Sequence, residues 1–249
     1  NRCFHNRLFS EAGNDRDEYQ GALPMNRRLL LTLFCCVISF SVAYAEEEKT
    51  EKNEFTPVDL SGHFTQSMQK KLAEYDNPSL PPGTYNFGDV EFELGKGIIQ
   101  LGSLYKEECP DKVTKIEVNH KLKALHIIQG TAFGGGPNVP GSKSHVQDDT
   151  RVGEYVIHYD DKSKAEIPIV YGKDVRDWWF RKDEKEPSDS KVVWENDNKA
   201  AGRYKCRVRL YMTTWKNPHP DKKVVSIDYN GRKTETAAAP FCMAISYEK

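Results

Sequence analysis

Residues 153–172 read GEYVIHYDDKSKAEIPIVYG, and this stretch decides the fold class. Tyr155, Ile157 and Tyr159 alternate with Glu154, Val156 and His158, and Ile167, Ile169 and Tyr171 repeat the period after a polar turn at Asp160–Lys164. A period of two places one apolar row on one side of an extended chain, so the stretch predicts a β-hairpin with one buried face.

Similar signals run outward in both directions. Val90, Phe92 and Leu94 alternate with Glu91 and Glu93, and Gly95-Lys96-Gly97 is read as the turn of a hairpin into Ile98–Leu101. Val113–Val118 alternates, and Leu122–Ile128 is a fuller apolar run suited to an inner strand. Thr131–His145, with Gly134-Gly135-Gly136, Pro137, Pro140 and Gly141, reads as a long loop whose glycines supply flexibility. A charged loop at Arg181–Asp189 follows, with a short strand at Val192–Trp194. Tyr204–Trp215, Val224–Tyr229 and Phe241–Tyr247 are the last expected strands, separated by Asn217-Pro218-His219-Pro220 and by Asn230-Gly231. Met68–Tyr75 suggests a short helix or irregular turn. About nine strands without a long helix predict an all-β fold, an antiparallel two-sheet β-sandwich.

The first apolar run organises the chain differently. From Met25, a basic Asn26-Arg27-Arg28 precedes the apolar Leu29–Val42, and Ala43-Tyr44-Ala45 offers small residues for cleavage before Glu46. The run is shorter than the roughly 20 residues of a spanning helix. Residues 25–45 are therefore read as a signal peptide, residues 1–24 as an over-extended gene start or disordered leader, 46–54 as a linker and 55–249 as one sandwich domain. The expected location is secreted or periplasmic, with no membrane span after cleavage.

Composition removes several function classes. With 36 basic against 37 acidic residues there is no excess of positive charge, and nucleic acid is excluded as a partner. No GxSxG, HExxH or CxxC occurs, and no glycine-rich loop opens a helix, so no enzyme is expected. Cys109, Cys206 and Cys242 remain after processing. Cys206 alternates with Tyr204, Val208, Leu210 and Met212, against Lys205, Arg207 and Arg209 on the other face, and reads as core; if a bridge exists, Cys206–Cys242 is the plausible pair. His126, between Leu125 and Ile127, leaves two readings open: a hydrogen-bonded structural histidine, or a ligand contact.

Aromatic residues mark the candidate site. Sugar rings present flat C–H faces with hydroxyls at the rim, so their sites pair Trp or Tyr with hydrogen-bonding side chains. Tyr171, Asp174, Arg176, Asp177, Trp178 and Trp179 form such a mixture where a strand runs into a loop, and Trp194, Trp215 and His219 are further candidates. Trp178 and Trp179, adjacent in extended chain, are expected to point to opposite sides, so that one of them is free for a ligand. Carboxylate pairs in the turns read as hydrated surface, and metal ligands are unknown.

The runs PPGTYNFGDVEFEL, GEYVIHYDDKSKAEIPIVYGKDVRDWW, LYMTTWKNPHPDKKVVSIDYN and TAAAPFCMAISYE resemble the galactose-binding-like jelly-roll domains of bacterial secreted proteins. The resemblance implies a jelly-roll sandwich, a noncatalytic carbohydrate-binding module, no cofactor and room for a structural calcium ion. The competing expectation is an extracytoplasmic scaffold that presents the Arg181–Asp189 loop to a protein partner.

Overall fold

The computed structural model describes residues 54–68, 80–135, 146–233 and 236–249, all within the compact unit Thr50–Lys249. The expected leader, the signal peptide and most of the linker lie outside the described residues, as does the expected helix beyond Met68. Glu54, the last linker residue, is engaged: its carbonyl accepts the Lys249 N–H at 3.1 Å.

In chain order the strands are β1 (Phe55–Pro57), β2 (Gln66–Ser67), β3 (Gly83–Phe87), β4 (Val90–Leu94), β5 (Gly97–Gln100), β6 (Lys112–Lys121) and β7 (Ala124–Ala132). They continue with β8 (Arg151–Tyr159), β9 (Lys164–Val170), β10 (Trp179–Phe180), β11 (Lys191–Asn196), β12 (Arg207–Lys216), β13 (Lys223–Gly231) and β14 (Ala239–Glu248). One turn of helix, α1 (Lys199–Gly202), interrupts them; Asn198 caps it, its side-chain oxygen accepting the Ala200 and Ala201 N–H groups.

The protein is an all-β sandwich of antiparallel ladders. The small sheet has the order β6-β13-β8-β9, and the large one runs β10-β12-β7-β14-β5-β2, with β1 added to β14 and β11 to β12. The decisive hairpin forms as expected, with Tyr155 opposite Ile167 and Ile157 opposite Ala165. Its apolar row meets the large sheet: Tyr155 and Ile157, with Ile227 and Tyr229 of the neighbouring β13, share a cluster with Leu125, Ile127, Tyr211 and Ile245. Tyr155 and Tyr229 stack at 4.5 Å. A polar thread crosses this core, Tyr155 Oη donating to Gln129 Oε1 at 3.0 Å and Gln129 Nε2 to Thr213 Oγ1 at 2.8 Å, so the buried amide is satisfied.

The large sheet is covered on its other face too. Val208, Leu210, Met212, Ile128 and Met243 form a second cluster with Phe87, Val90, Phe92 and Leu94 of β3 and β4. Burying a side chain such as Phe92 contributes roughly 1.5–3 kcal/mol. Covering both faces explains why β7 and β14 read as near-continuous apolar runs: every residue of β7 but the last, and of β14 but the last, is buried.

Three expectations change. β4 pairs with β3 through a turn at Gly88, whose φ of +64° suits glycine, and not with β5. β5 instead pairs with β14 and β2, because Ile98 and Ile99 are claimed by the two clusters on opposite faces of the large sheet. The strand expected from Tyr204 begins at Arg207, after a turn in which Lys205 has φ +59°. Cys206 and Cys242 are unpaired thiols: Cys242 lies in the cluster between the sheets, while Cys206 packs against the outer cluster on the opposite face.

Candidate functional site

The segment Tyr171–Trp179 connects β9 to β10 and reaches the large sheet where β7 ends. Trp178 donates its N–H to Thr131 O at 2.9 Å, and Arg209 donates its N–H to Trp178 O at 2.8 Å, so the segment carries on the edge of β12 that β7 has left. The polar residues expected to contact a ligand are used within the fold. Asp174 Oδ2 accepts the Val170 N–H at 2.8 Å and closes the turn. Arg176 donates to Asp148 Oδ2 at 2.8 Å, and its guanidinium lies 5.6 Å from the centre of the Tyr171 ring. Tyr171 is buried in the cluster between the sheets.

Asp177 is the hub of this end. Its carboxylate accepts the Gly134 N–H at 2.8 Å and the Trp179 N–H at 3.0 Å, and its carbonyl accepts the Tyr211 hydroxyl at 3.0 Å. Burial pushes the carboxyl up to about 7, against the lowering effect of those N–H groups. Gly134 serves close approach, not flexibility: a Cβ there would stand 2.6 Å from Tyr171 Cε2.

Arg209, expected on a solvated face, is 1 % exposed. Its Nε donates to Tyr211 Oη at 2.6 Å and an Nη to Lys185 O at 3.2 Å, its guanidinium stands 4.5 Å from the centre of the Phe180 ring, and Glu184 is 3.8 Å away. The charge is tolerated because it is hydrogen-bonded and paired, and it ties the Arg181–Asp189 loop to the sheet.

The two adjacent tryptophans do not point to opposite sides. Their ring centres are 6.4 Å apart and both join the outer cluster, Trp178 buried edge-on against Phe241 and Trp179 at the rim. The chain enters β10 from the Asp177 turn, so the two residues do not share the pleat of a straight strand. Trp179 meets Tyr204 at 5.7 Å with 39° between the rings. Tyr204, which the sequence placed in a core row, is 59 % exposed. The sequence signal for it is Gly202, just before the segment that leads into β12.

The remaining candidates lie elsewhere. Trp194, half-buried on β11, packs against the outer cluster, and Trp215, near the far end of β12, packs against the cluster between the sheets. His219 is exposed in a turn built on Asn217, which accepts from Tyr159 Oη at 2.7 Å and donates to Leu122 O at 2.9 Å. His126 sits on the outer face of β7 beside Thr214. Among the described residues, no three or more His, Cys, Asp or Glu side chains are grouped to hold a metal ion, and no helix is long and apolar enough to cross a membrane. No protein-family model, curated protein or solved structure matches this chain.

Proposed function

We propose that the protein is a noncatalytic carbohydrate-binding module that acts outside the cytoplasm and holds glycan against the Trp179–Tyr204 pair. The observation that carries this reading is an aromatic surface the core does not require: Tyr204 is largely exposed beside a Trp179 whose backbone is pinned by Asp177 and by β12. Aromatic faces held rigidly at a surface bind the C–H faces of sugars at low entropic cost. Binding is expected to be weak, since two rings on an open surface exclude little water. The antiparallel sandwich agrees with a galactose-binding-like module, and fold alone is consistent with many ligands.

The test is a glycan array probed with the chain and with a Trp179→Ala/Tyr204→Ala double variant. A set of glycans bound by the parent and lost in the double variant supports the reading. A blank array on folded protein, or hits that the double variant retains, removes it.

A further inference from the structure

The outer face of the large sheet carries a concavity where the Ala124 end of β7 lies beside the ends of β12 and β14. It is a cavity of about 500 Å³, within the range of small-molecule sites. His126, Met212 and Thr214 form its floor, Phe55 and Glu248 one wall, Lys191 and its β11 neighbours another, and the β3–β4 turn with Asp89 a third.

The register makes this floor. Thr214 and His126 are direct partners across β12 and β7, so their side chains stand side by side on one face, and Glu248 reaches the same face from the end of β14. His126 Nδ1 lies 3.0 Å from Thr214 Oγ1. His126 Nε2 is buried and makes no hydrogen bond among the described residues; the nearest carboxylate oxygen, of Glu248, is 3.8 Å away. The residue is 6 % exposed, so water does not freely solvate that nitrogen, and an unmet buried polar group of this kind is a cost to the fold that a bound hydroxyl would relieve.

The chemistry of the walls narrows what fills the gap. Burial holds the imidazole below its usual range, so it is neutral at neutral pH. The nearby carboxylate favours the ring proton on Nε2, and Thr214 then donates to Nδ1. Nε2–H and Glu248 are thus a donor and an acceptor just too far apart to bond each other. A hydroxyl oxygen set to one side of this 3.8 Å pair, admitted by a small turn of the Glu248 carboxylate, accepts from the first and donates to the second. Lys191 adds a donor and Asp89 an acceptor for further hydroxyls. Phe55, whose ring meets the imidazole edge-on at 5.4 Å, supplies an apolar side for C–H groups. Two carboxylates against one ammonium disfavour an anion, and an N–H aimed inward disfavours a cation.

We propose that this cavity binds one neutral polyhydroxylated ring, of the size of a monosaccharide or cyclitol, with a hydroxyl bridging His126 Nε2 and Glu248. The site is separate from the Trp179–Tyr204 surface and stands without it. The experiment titrates the full chain, with ¹⁵N-labelled histidine, against D-galactose, D-glucose, D-mannose and myo-inositol, following heat of binding and the His126 ring nitrogens by NMR. The expected result is saturable binding of at least one of the four with a shift of the Nε2 resonance. Glu248→Ala weakens it at least tenfold, Lys191→Ala weakens it less, and Trp179→Ala/Tyr204→Ala leaves it unchanged. His126→Phe is the direct variant; because His126 is buried, the Glu248 and Lys191 variants, at more open positions, carry the test if it fails to fold. No saturable binding of any of the four overturns the proposal. So does binding that survives Glu248→Ala, or that is lost only with Trp179 and Tyr204.

Discussion

The Asp177 end of the sandwich and the His126 end of the large sheet's outer face hold their polar residues differently. Around Asp177, the candidate carboxylates are spent inside the fold, Asp174 on Val170 and Asp177 on Gly134 and Trp179, and Arg176 gives one nitrogen to Asp148 while its buried Nε makes no hydrogen bond among the described residues. Around His126, a buried ring nitrogen stands unbonded at the floor of an open cavity. In sequence, a run of aromatic and charged residues marks the first end, and His126 alone marks the second. Only hydrogen-bond accounting separates groups that hold the fold from groups still able to hold something else.

The largest expected effect tests the first end as structure. Trp178→Ala should cost about 3–5 kcal/mol in denaturant unfolding, as an aromatic removed from a close-packed cluster, while Trp179→Ala should cost under about 1 kcal/mol. Equal losses would erase the distinction between the buried ring and the rim ring.

Asp177→Ala comes next. It strands two backbone N–H groups and should cost roughly 2–4 kcal/mol. The same carboxyl gives a pH signature. Its folded value, about 7, stands above the ordinary aspartate value of 3.8, so between the two the native state keeps a proton that the unfolded chain has lost. Stability is therefore fully present near pH 4 and falls as pH rises towards 7, at most by about 1.4 kcal/mol per pH unit. Burial raises Asp174 and Glu184 as well, which adds in the same sense; the imidazole of His126, lowered by burial, acts in the opposite sense, and the lowered carboxyls of Asp59, Glu108 and Asp161 are exposed and weakly felt. Asp177→Asn should flatten the slope measured by urea unfolding from pH 5 to 7.5; an unchanged slope would show that Asp177 is not the titrating hub.

Gly134→Ala should destabilise by about 1–3 kcal/mol, because its Cβ would meet the Tyr171 ring 2.6 Å away. A neutral result would mean that the loop is not held tightly against this end. Smallest of all should be Tyr204→Ala and Thr214→Val, within about 1 kcal/mol of the parent in unfolding. Their effect belongs to binding: Tyr204→Ala on glycan arrays, Thr214→Val on titration of the His126 cavity. A stability loss above about 2 kcal/mol in either would make that residue part of the frame, and the contrast between spent and unspent groups would fail there.

Much of the architecture was legible in local pattern. The β8–β9 hairpin follows from its period of two and polar turn, and β7 and β14 from their largely apolar runs. The partner of β4 was not legible, because Gly88-Asp89 and Gly95-Lys96-Gly97 are equally good turns; the choice rests on which strand β14 accepts. Arg209 was misplaced for a related reason. Alternation along β12 says which residues share a face, but not that both faces are covered. Of the Trp179–Tyr204 pair, the sequence singled out Trp179 and not Tyr204, because an aromatic in phase with Cys206 and Val208 looks like core until the Lys205 turn takes it out of the strand.

The sequence by itself determined the β class and the inner hairpin, since strand period and turn chemistry act over neighbouring residues. Tertiary structure alone decided which polar groups are consumed. Thr214 and His126 are 88 positions apart, and Gly134 and Asp177 are 43 apart. Hydrogen bonds and burial between such residues are settled by sheet register and packing, which no local window of the chain contains.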